Sequence, residues 1–353
     1  MKKLLIVTAI LIVASCSNNN RLDEFKVFDG NEQATNLSMD DVIEKTSTIL
    51  LDTSSAAPLL GEICFVHESE DAYYIISGDT AVFEYGKTGD FVRKIGAEGR
   101  GPGEYLSARS LYFNDKLSVF DFPSQKLIFY DKDGNYISSD NLELDTPNLY
   151  VKSFFVNKGV PVFYALNNSS SMSLYEYVDG TMTTISRANR EMADGEAFVG
   201  GPVSFGNAEH PFIFNENFND TVYVLNDHVL TPSFLIKIGD YGFGYNELNY
   251  ESLMNSSSQK FSTRWISSAG DYLFISYNVS NVAGKNDGNF LGLYNFRTKE
   301  YFRNVEFTDS SSQECTIRFD EQLYQGYNPN ELLSIRVSPN SDSRYELIKY
   351  TVR

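Results

Sequence analysis

A glycine turn that recurs at a nearly fixed interval constrains the fold of this chain more than any other feature. Three segments place an aromatic-rich strand before a short turn that ends in glycine, and then resume as a strand. They are VFEYGKTGDFVRKI (82–95), IFYDKDGNYISSD (128–140) and LYEYVDGTMTTIS (174–186). The turn glycines Gly89, Gly134 and Gly180 lie 45 and 46 positions apart. This spacing indicates one supersecondary unit that is repeated along the chain.

Two later segments extend the repeat. TVYVLNDHVLTPSFLIKI (221–238) follows at a similar interval, and LGLYNFRTKEYFRNV (291–305) comes after an insertion at 241–262. The chain shows little helical periodicity, and its 26 Phe and 23 Tyr residues are the bulky side chains that cover pleated sheets. A unit of about 45 residues with four short strands is typical of a β-propeller blade. We therefore predict an all-β propeller.

The repeat predicts six blades of four strands each. Five of them are expected near 58–98, 104–145, 148–192, 197–240 and 260–310. The last segment, 331–353, supplies two strong strands, whereas STILLDT (47–53) is a spare strand before the first blade. Pairing this N-terminal strand with the C-terminal blade closes the ring and leaves no long exposed edge. We expect one propeller domain over residues 46–353, with seven blades as the alternative.

The start of the chain has the pattern of a secretory signal. Lys2 and Lys3 precede a short apolar run, LLIVTAILIV, well below the roughly 20 residues that a spanning helix needs. We interpret residues 1–15 as a signal peptide. The ending VASC resembles the lipobox of bacterial lipoproteins, which implies that Cys16 becomes lipidated. An ordinary signal peptide with an incidental cysteine is the alternative.

A lipidated Cys16 implies a location for the protein. Acyl chains would hold it on a membrane without any spanning segment. Residues 16–45 are then expected to be the lipidated cysteine and a polar tether. We predict a lipid-anchored protein of the cell envelope, on the outer membrane, that faces either the periplasm or the cell surface.

The charge of the chain excludes one class of partner. The sequence has 47 acidic and 29 basic residues, a formal net charge of −18. Such a surface repels phosphate backbones, so we expect no nucleic acid partner.

The two cysteines beyond Cys16 leave one question open. Cys64 and Cys315 would lie outside the cytoplasm, where a disulfide is permitted. They are distant in sequence, but a fold that closes on itself brings its chain ends together. A bridge between them and two buried free thiols are both compatible with the sequence.

The stretch GAEGRGPGEY (96–105) connects the first two expected blades. A phosphate loop needs an uninterrupted row of backbone N–H groups and usually a Lys-Ser or Lys-Thr pair. Pro102 interrupts that row, and no such pair follows. We therefore interpret the glycines as residues that let the chain turn a corner. Arg100 and Glu104 are expected either to form an ion pair between blades or to reach the central funnel.

The same stretch carries a family resemblance. KIGAEGRGPGEY (94–105) resembles the signature of the six-bladed β-propeller lipoproteins of Bacteroidetes, which are relatives of the NHL-repeat propellers. TVYVLNDHVLTPSFLIKIGDYG (221–242) is similar to a later segment of that family. The resemblance implies a propeller at the cell envelope and no particular reaction.

Motifs for metal, cofactor or nucleophilic chemistry are scarce. The three histidines, His67, His210 and His228, are not at metal-ligand spacing from one another or from a cysteine. The glycine of DKDGN (131–135) comes too early for a calcium loop, so we interpret this stretch as a hairpin turn. The sequence has no Gly-x-Ser-x-Gly elbow. We expect no metal, no cofactor and no catalytic residues.

Loops on one face of a propeller converge around its channel, and ligand-binding residues are expected there. Trp265 is the only tryptophan and follows Arg264, so this pair has the chemistry to stack a sugar or a peptide side chain. The alternative is that Trp265 fills a gap between blades. Arg100, Glu104 and Arg109 are further candidates.

The scarcity of catalytic motifs favours a non-catalytic module that binds a peptide, a glycan or a partner protein. An enzyme on the same scaffold, a lyase or hydrolase with a site in the central channel, is one alternative. An architectural subunit of an outer-membrane complex is another.

Overall fold

The computed structural model is an all-β protein in which six four-stranded antiparallel blades form a ring. It describes residues 22–26, 33–52, 54, 57–145, 150–166, 171–189, 202–203, 212–216, 220–226, 228–237, 241–242, 260–280, 286–308, 322–338 and 345–353. The predictions for the signal peptide, Cys16, His210, Cys315 and most of the insertion at 241–262 lie outside the described residues.

The first three blades follow one another along the chain, and their strands pair in sequence order. Blade 1 consists of Ile63–Glu68, Ala72–Ser77, Ala81–Gly86 and Phe91–Ile95. Blade 2 consists of Ala108–Asn114, Lys116–Asp121, Lys126–Tyr130 and Tyr136–Asn141. Blade 3 consists of Tyr150–Asn157, Val160–Leu166, Ser171–Val178 and Thr181–Asn189. Between blades 1 and 2, Ala97–Glu98 pairs in parallel with Glu104–Tyr105.

The last three blades complete the ring, and six is therefore the correct count. Blade 4 consists of Pro202–Val203, Phe212–Glu216, Thr221–Asn226 and Val229–Lys237. Blade 5 consists of Lys260–Ala269, Tyr272–Ser280, Asn286–Asn295 and Tyr301–Phe302. Blade 6 consists of Tyr324–Gln325, Glu331–Val337, Tyr345–Val352 and an early strand, Ile43–Leu50.

The early strand Ile43–Leu50 is the outermost strand of blade 6, and we call it the closing strand. It pairs antiparallel with Tyr345–Val352, in a register that places Thr46 opposite Tyr350. The first strands of blades 6 and 1 contact each other, as do those of blades 1 and 2 and of blades 2 and 3. Blade 6 thus joins early and late parts of the chain in one sheet.

The segment expected to be a tether contains regular structure. Asp23–Lys26 adds a parallel strand to the outer edge of blade 4, and Thr35–Ser38 pairs in parallel with Val305–Thr308. A short helix, Met39–Val42, then leads into the closing strand, which begins at Ile43 and not at residue 46. Strands of four residues carry almost no periodic signal, and the edges that receive them exist only in the folded ring.

The core of the described residues is divided into clusters that each lie between two adjacent blades. Side chains alternate between the two faces of a strand, so successive residues face different neighbouring blades. In blade 1, Tyr73 and Ile75 pack towards blade 6, whereas Tyr74 and Ile76 pack towards blade 2. Apolar burial between blades therefore holds the ring together.

The glycines of the repeat occupy turns with a left-handed backbone. Gly89, Gly134 and Gly180 have φ values of +91°, +81° and +81°, and each lies between the third and fourth strands of its blade. A Cβ atom at Gly89 would lie 2.3 Å from the carbonyl oxygen of Leu50, at the end of the closing strand. A Cβ atom at Gly180 would meet no heavy atom within 4 Å. The Gly89 turn is therefore where blade 1 touches the closing strand.

Alanine substitutions at these two glycines separate backbone strain from contact with the closing strand. Gly180→Ala is expected to lower the free energy of unfolding by about 1 to 2 kcal/mol, because an L-residue is strained at positive φ. Gly89→Ala carries the same strain and also collides with Leu50, which adds about 1 to 3 kcal/mol. Urea unfolding measures both losses. Equal losses would contradict the contact between blade 1 and the closing strand.

Candidate functional site

A cavity of about 290 Å³ opens at one end of the central channel, and we call it the channel mouth. It lies where the first strands of blades 1, 2 and 6 end and turn into their second strands. Its wall includes His67, Glu68, Tyr112, Asn114, Gln325 and Tyr327. A narrower space behind it, also lined by His67, Tyr112 and Gln325, reaches the first strand of blade 3.

His67 forms the wall of the channel mouth between blades 1 and 2. Its ring packs against Tyr112, with ring centroids 4.8 Å apart, and stacks on Tyr74 at 6.4 Å. Burial outweighs a hydrogen bond to the backbone of Phe113 and lowers the pKa of the imidazole to about 4, so the ring is neutral at pH 7. Nε2 is buried and has no hydrogen-bond partner among the described residues.

Glu68 follows His67 in the strand, faces the other way and joins blade 1 to blade 6. One carboxylate oxygen accepts hydrogen bonds from Nζ of Lys87 at 2.5 Å and Nζ of Lys349 at 2.9 Å. The other accepts one from the N–H of Tyr327 at 2.9 Å. Burial favours the neutral acid, but these hydrogen bonds outweigh it and lower the pKa of the carboxyl. Glu68 is thus a satisfied charge that fixes the wall of the channel mouth.

Gln325 forms the wall of the channel mouth on the blade 6 side. Its Nε2 donates a hydrogen bond to the carbonyl of Glu331 at 3.0 Å, which sets the orientation of the amide. Oε1 is buried and has no partner among the described residues. A neutral imidazole has one N–H donor and one acceptor nitrogen, and Nε2 of His67 is the acceptor in the tautomer protonated on Nδ1. The channel mouth thus offers two buried acceptors.

Carboxylates surround the opening of the channel mouth. Glu70 and Asp71 lie in the turn after the first strand of blade 1, and Asp115 lies in the corresponding turn of blade 2. All three residues are exposed, and none forms an ion pair with another described residue. Lys87 and Lys349 are held by Glu68, so the side of the opening formed by blades 1 and 2 is acidic.

The stretch GAEGRGPGEY lines a second cavity, of about 400 Å³, beside blade 2. Arg100 is exposed there and is not part of the channel mouth. Glu104 accepts a hydrogen bond from the N–H of Gly101 at 2.7 Å, and the ion pair with Arg100, one of the two arrangements considered for these residues, is not formed. The buried hydroxyl of Tyr105 bonds to backbone groups of blade 1. The stretch turns a corner, with Gly103 at a φ of +72°.

The other candidate residues lie apart from the channel mouth. Arg109 forms an ion pair with Asp79 at 3.0 Å. Arg264 is exposed on the first strand of blade 5, and Trp265 is only 3% exposed within the cluster between blades 5 and 6. This position agrees with the alternative that Trp265 fills a gap between blades. Its ring is therefore not available to stack a ligand.

Cys64 is a free thiol in the first strand of blade 1. Its Sγ donates a hydrogen bond to Oδ1 of Asp79 at 3.1 Å. Burial and this bond raise the pKa of the thiol, which keeps it in the unreactive protonated form.

The DKDGN stretch and His228, both considered for metal binding, are engaged within the fold. DKDGN is the hairpin turn of blade 2, in which the carboxylate of Asp131 accepts hydrogen bonds from the N–H groups of Asp133 and Asn135 at 2.9 and 2.8 Å. His228 pairs with Glu176 of blade 3. Across the described ranges, no three His, Cys, Asp or Glu side chains are grouped as a metal site.

His67, Glu68 and Gln325 were not identified as site residues from the sequence. They come from blades 1 and 6, near the two ends of the propeller, and only the closed ring brings them together. The sequence does contain one signal, because ICFVHE ends an apolar strand with two ionisable residues. The same signal marks any strand that ends at the protein surface, so it is not specific.

Comparison with known proteins shows the family. Residues 22–341 match a family described as a domain of unknown function, DUF4934, and the chain belongs to it. No curated protein has a significantly similar sequence. A Bacteroides fragilis protein described as exported is similar in structure, with a TM-score of 0.65 and 14% identity over 94% of this chain and 99% of its own.

A second solved structure is a member of the DUF4221 family from Bacteroides vulgatus. It has a TM-score of 0.55 and 11% identity, over 88% of this chain and 97% of its own. At these identities the two likenesses concern the fold, and they agree with the propeller described above.

The burial of His67 predicts a pH dependence of stability. The ordinary pKa of histidine is 6.5 and that of folded His67 is about 4, so the unfolded chain binds this proton first as the pH falls. The free energy of unfolding therefore falls by on the order of 3 kcal/mol as the pH is lowered from 6.5 to about 4. His67→Phe removes this loss. Urea unfolding measures the free energy of unfolding of both proteins at pH 7 and pH 4. The difference, variant minus wild type, should be larger at pH 4 than at pH 7 by that amount. A difference that does not change with pH would contradict the prediction.

Proposed function

We propose that this protein is a non-catalytic binding module of the cell envelope, with the channel mouth as its ligand site. The observation that carries the proposal is the cavity itself, whose lining includes His67 and Gln325, two residues with a buried acceptor atom that has no partner among the described residues. Buried polar atoms are almost always hydrogen-bonded, so acceptors left without donors in a cavity bond to solvent or to a ligand. A ligand with suitably placed donors gains both bonds.

The size and lining of the channel mouth limit what it admits. Its volume of about 290 Å³ is at the lower end of the ~300–1,000 Å³ typical of ligand pockets. Tyr112 and Tyr327 supply flat aromatic surface, and His67 and Gln325 supply polar groups that fix orientation. This arrangement suits one side chain of a peptide or partner protein, or one sugar ring of a glycan.

The geometry favours binding over catalysis. His67 and Glu68 face different neighbouring blades and form no hydrogen bond with each other. A histidine with a pKa near 4 is a weak base at neutral pH, and a general base works best near the operating pH. Glu68 is held by two lysines. Nothing within the described residues favours a lyase or hydrolase site in the central channel.

We further propose that the protein is anchored in the outer membrane through lipids on Cys16. The VASC motif supports this, and so does the exported description of the structurally similar Bacteroides fragilis protein. No helix in the described part of the chain has the length and apolar character to cross a membrane. The proposal also includes kinship with the propeller lipoproteins of Bacteroidetes, on the resemblance of KIGAEGRGPGEY.

Substitution of Cys16 tests the anchor. In cells that process lipoproteins, Cys16→Ala should move the protein from the membrane fraction to the soluble fraction, because the acyl chains are its only proposed attachment. Cys64→Ala is the matched control and should remain with the membrane. Membrane retention of Cys16→Ala equal to that of the control would exclude the anchor.

A bulky residue at the opening tests the ligand site. Asn114 is exposed at the end of the first strand of blade 2, so Asn114→Phe narrows the channel mouth without burying a new group. Peptides and glycans retained by the wild type on arrays should lose at least about tenfold in affinity, about 1.4 kcal/mol. Thr183→Phe, on an exposed outer strand of blade 3, is the control and should bind normally. Retention that survives Asn114→Phe would place the ligand elsewhere.

A further inference from the structure

Two buried atoms of the channel mouth, His67 Nε2 and Gln325 Oε1, are acceptors without donors among the described residues. The hydroxyls of Tyr112 and Tyr327 and the amide of Asn114 are donors in the same lining. Two lysines of the neighbouring strands, Lys87 and Lys349, are held by Glu68. The two acceptors therefore favour a ligand that brings donors. Carboxylates and phosphates bring only acceptors and cannot bond to either atom.

The charge around the opening points the same way. Glu70, Asp71 and Asp115 are exposed on two neighbouring turns and form no ion pair with other described residues. A cleft lined by one sign of charge focuses its field and raises the local concentration of the opposite ion. These three carboxylates make the blade 1 and blade 2 side of the opening acidic, and the exposed Lys158 lies in the corresponding turn of blade 3.

The aromatic residues add a third, independent preference. Tyr112, Phe113 and Tyr327 line the channel mouth, and a cation is attracted to the face of an aromatic ring. The protein already uses this contact nearby, where Nζ of Lys87 lies 4.8 Å from the ring centre of Tyr73 and 5.8 Å from that of Tyr327. The wall therefore accommodates an alkylammonium or guanidinium group as well as its apolar stem.

We propose that the channel mouth binds the cationic side chain of a peptide, a lysine ammonium or an arginine guanidinium. This inference rests on the proposed function and names the ligand class of that site. The side chain enters between Tyr112 and Tyr327, its N–H groups donate to His67 Nε2 and Gln325 Oε1, and the carboxylates of the opening neutralise its charge. A cavity of about 290 Å³ holds one such side chain and leaves the peptide backbone outside.

Two peptides that differ only in the ammonium group test the proposal. Calorimetry with the intact protein compares acetyl-Gly-Lys-Gly-amide with its norleucine counterpart, which keeps the apolar stem and lacks the charge. The lysine peptide should bind at least about tenfold more tightly. Its affinity should also fall as NaCl is raised from about 0.05 to 0.5 M, because the carboxylates of the opening are exposed to screening.

A matched pair of charge variants locates the binding. Asp115→Asn removes one carboxylate of the opening and should weaken the lysine peptide about twofold to fivefold. Asp179→Asn, in the outer hairpin of blade 3, is the control and should have no effect. Asp115 and Asp179 are exposed turn residues with φ values of +57° and +50°, a conformation that asparagine tolerates, so both variants should fold.

The outcomes separate this inference from the function on which it rests. Equal binding of the two peptides, no binding of either, or equal effects of Asp115→Asn and Asp179→Asn would each overturn the cationic assignment. Tighter binding of glucosamine than of the lysine peptide would overturn the assignment to a peptide. In any of these cases, array binding that is lost in Asn114→Phe would still support the proposed function.

Discussion

Pairing of the early strand Ile43–Leu50 with the late strand Tyr345–Val352 in blade 6 is the constraint on which the rest of the structure depends. Every blade buries its apolar faces against two neighbours, so an open ring would expose two of those faces at once. The closing strand prevents this by pairing with Tyr345–Val352 inside blade 6. Blade 6 then meets blade 1 through apolar packing and through the ion cluster of Glu68, Lys349 and Glu331.

The ion cluster ties the channel mouth to this closure. Burial disfavours the charge of Lys349, but its hydrogen bonds to Glu331 and Glu68 outweigh that cost and raise its pKa. The pKa of Glu68 is lowered from its ordinary value of 4.5. Glu68 therefore stabilises the fold above pH 4.5, and this contribution is lost as the pH falls through the lowered pKa. The contribution of Lys349 is complete below its ordinary value of 10.5 and is lost as the pH rises through its raised one. The cluster is therefore intact at neutral pH.

Alternation along a single strand directs Glu68 and His67 towards different neighbouring blades. Glu68 faces blade 6, where two lysines and a backbone N–H satisfy it. His67 faces blade 2, where aromatic rings surround it and Nε2 has no donor among the described residues. Burying a polar atom without a partner costs free energy, and other atoms of the described residues, such as Trp265 Nε1 in the core between blades 5 and 6, are in the same state. His67 differs because it lines the channel mouth, and the proposed function rests on that position.

Much of the fold could be predicted from the sequence, because repeated local signals determine it. Gly89, Gly134 and Gly180 mark equivalent turns, since each needs a positive φ. The parallel strand Asp23–Lys26 could not be predicted, because it is short and its partner is the exposed edge of another blade. The channel mouth was missed because blades 1 and 6 contribute to it together. Trp265, the only tryptophan, is buried between blades, because the type of a side chain does not determine whether it is exposed.

The most direct test of the central claim is a crystal structure of the protein grown with acetyl-Gly-Lys-Gly-amide. We predict a closed six-bladed ring with the lysine ammonium in the channel mouth, within about 3 Å of His67 Nε2 or Gln325 Oε1. A channel mouth filled by the protein's own side chains, with both acceptors bonded to protein donors, would contradict it.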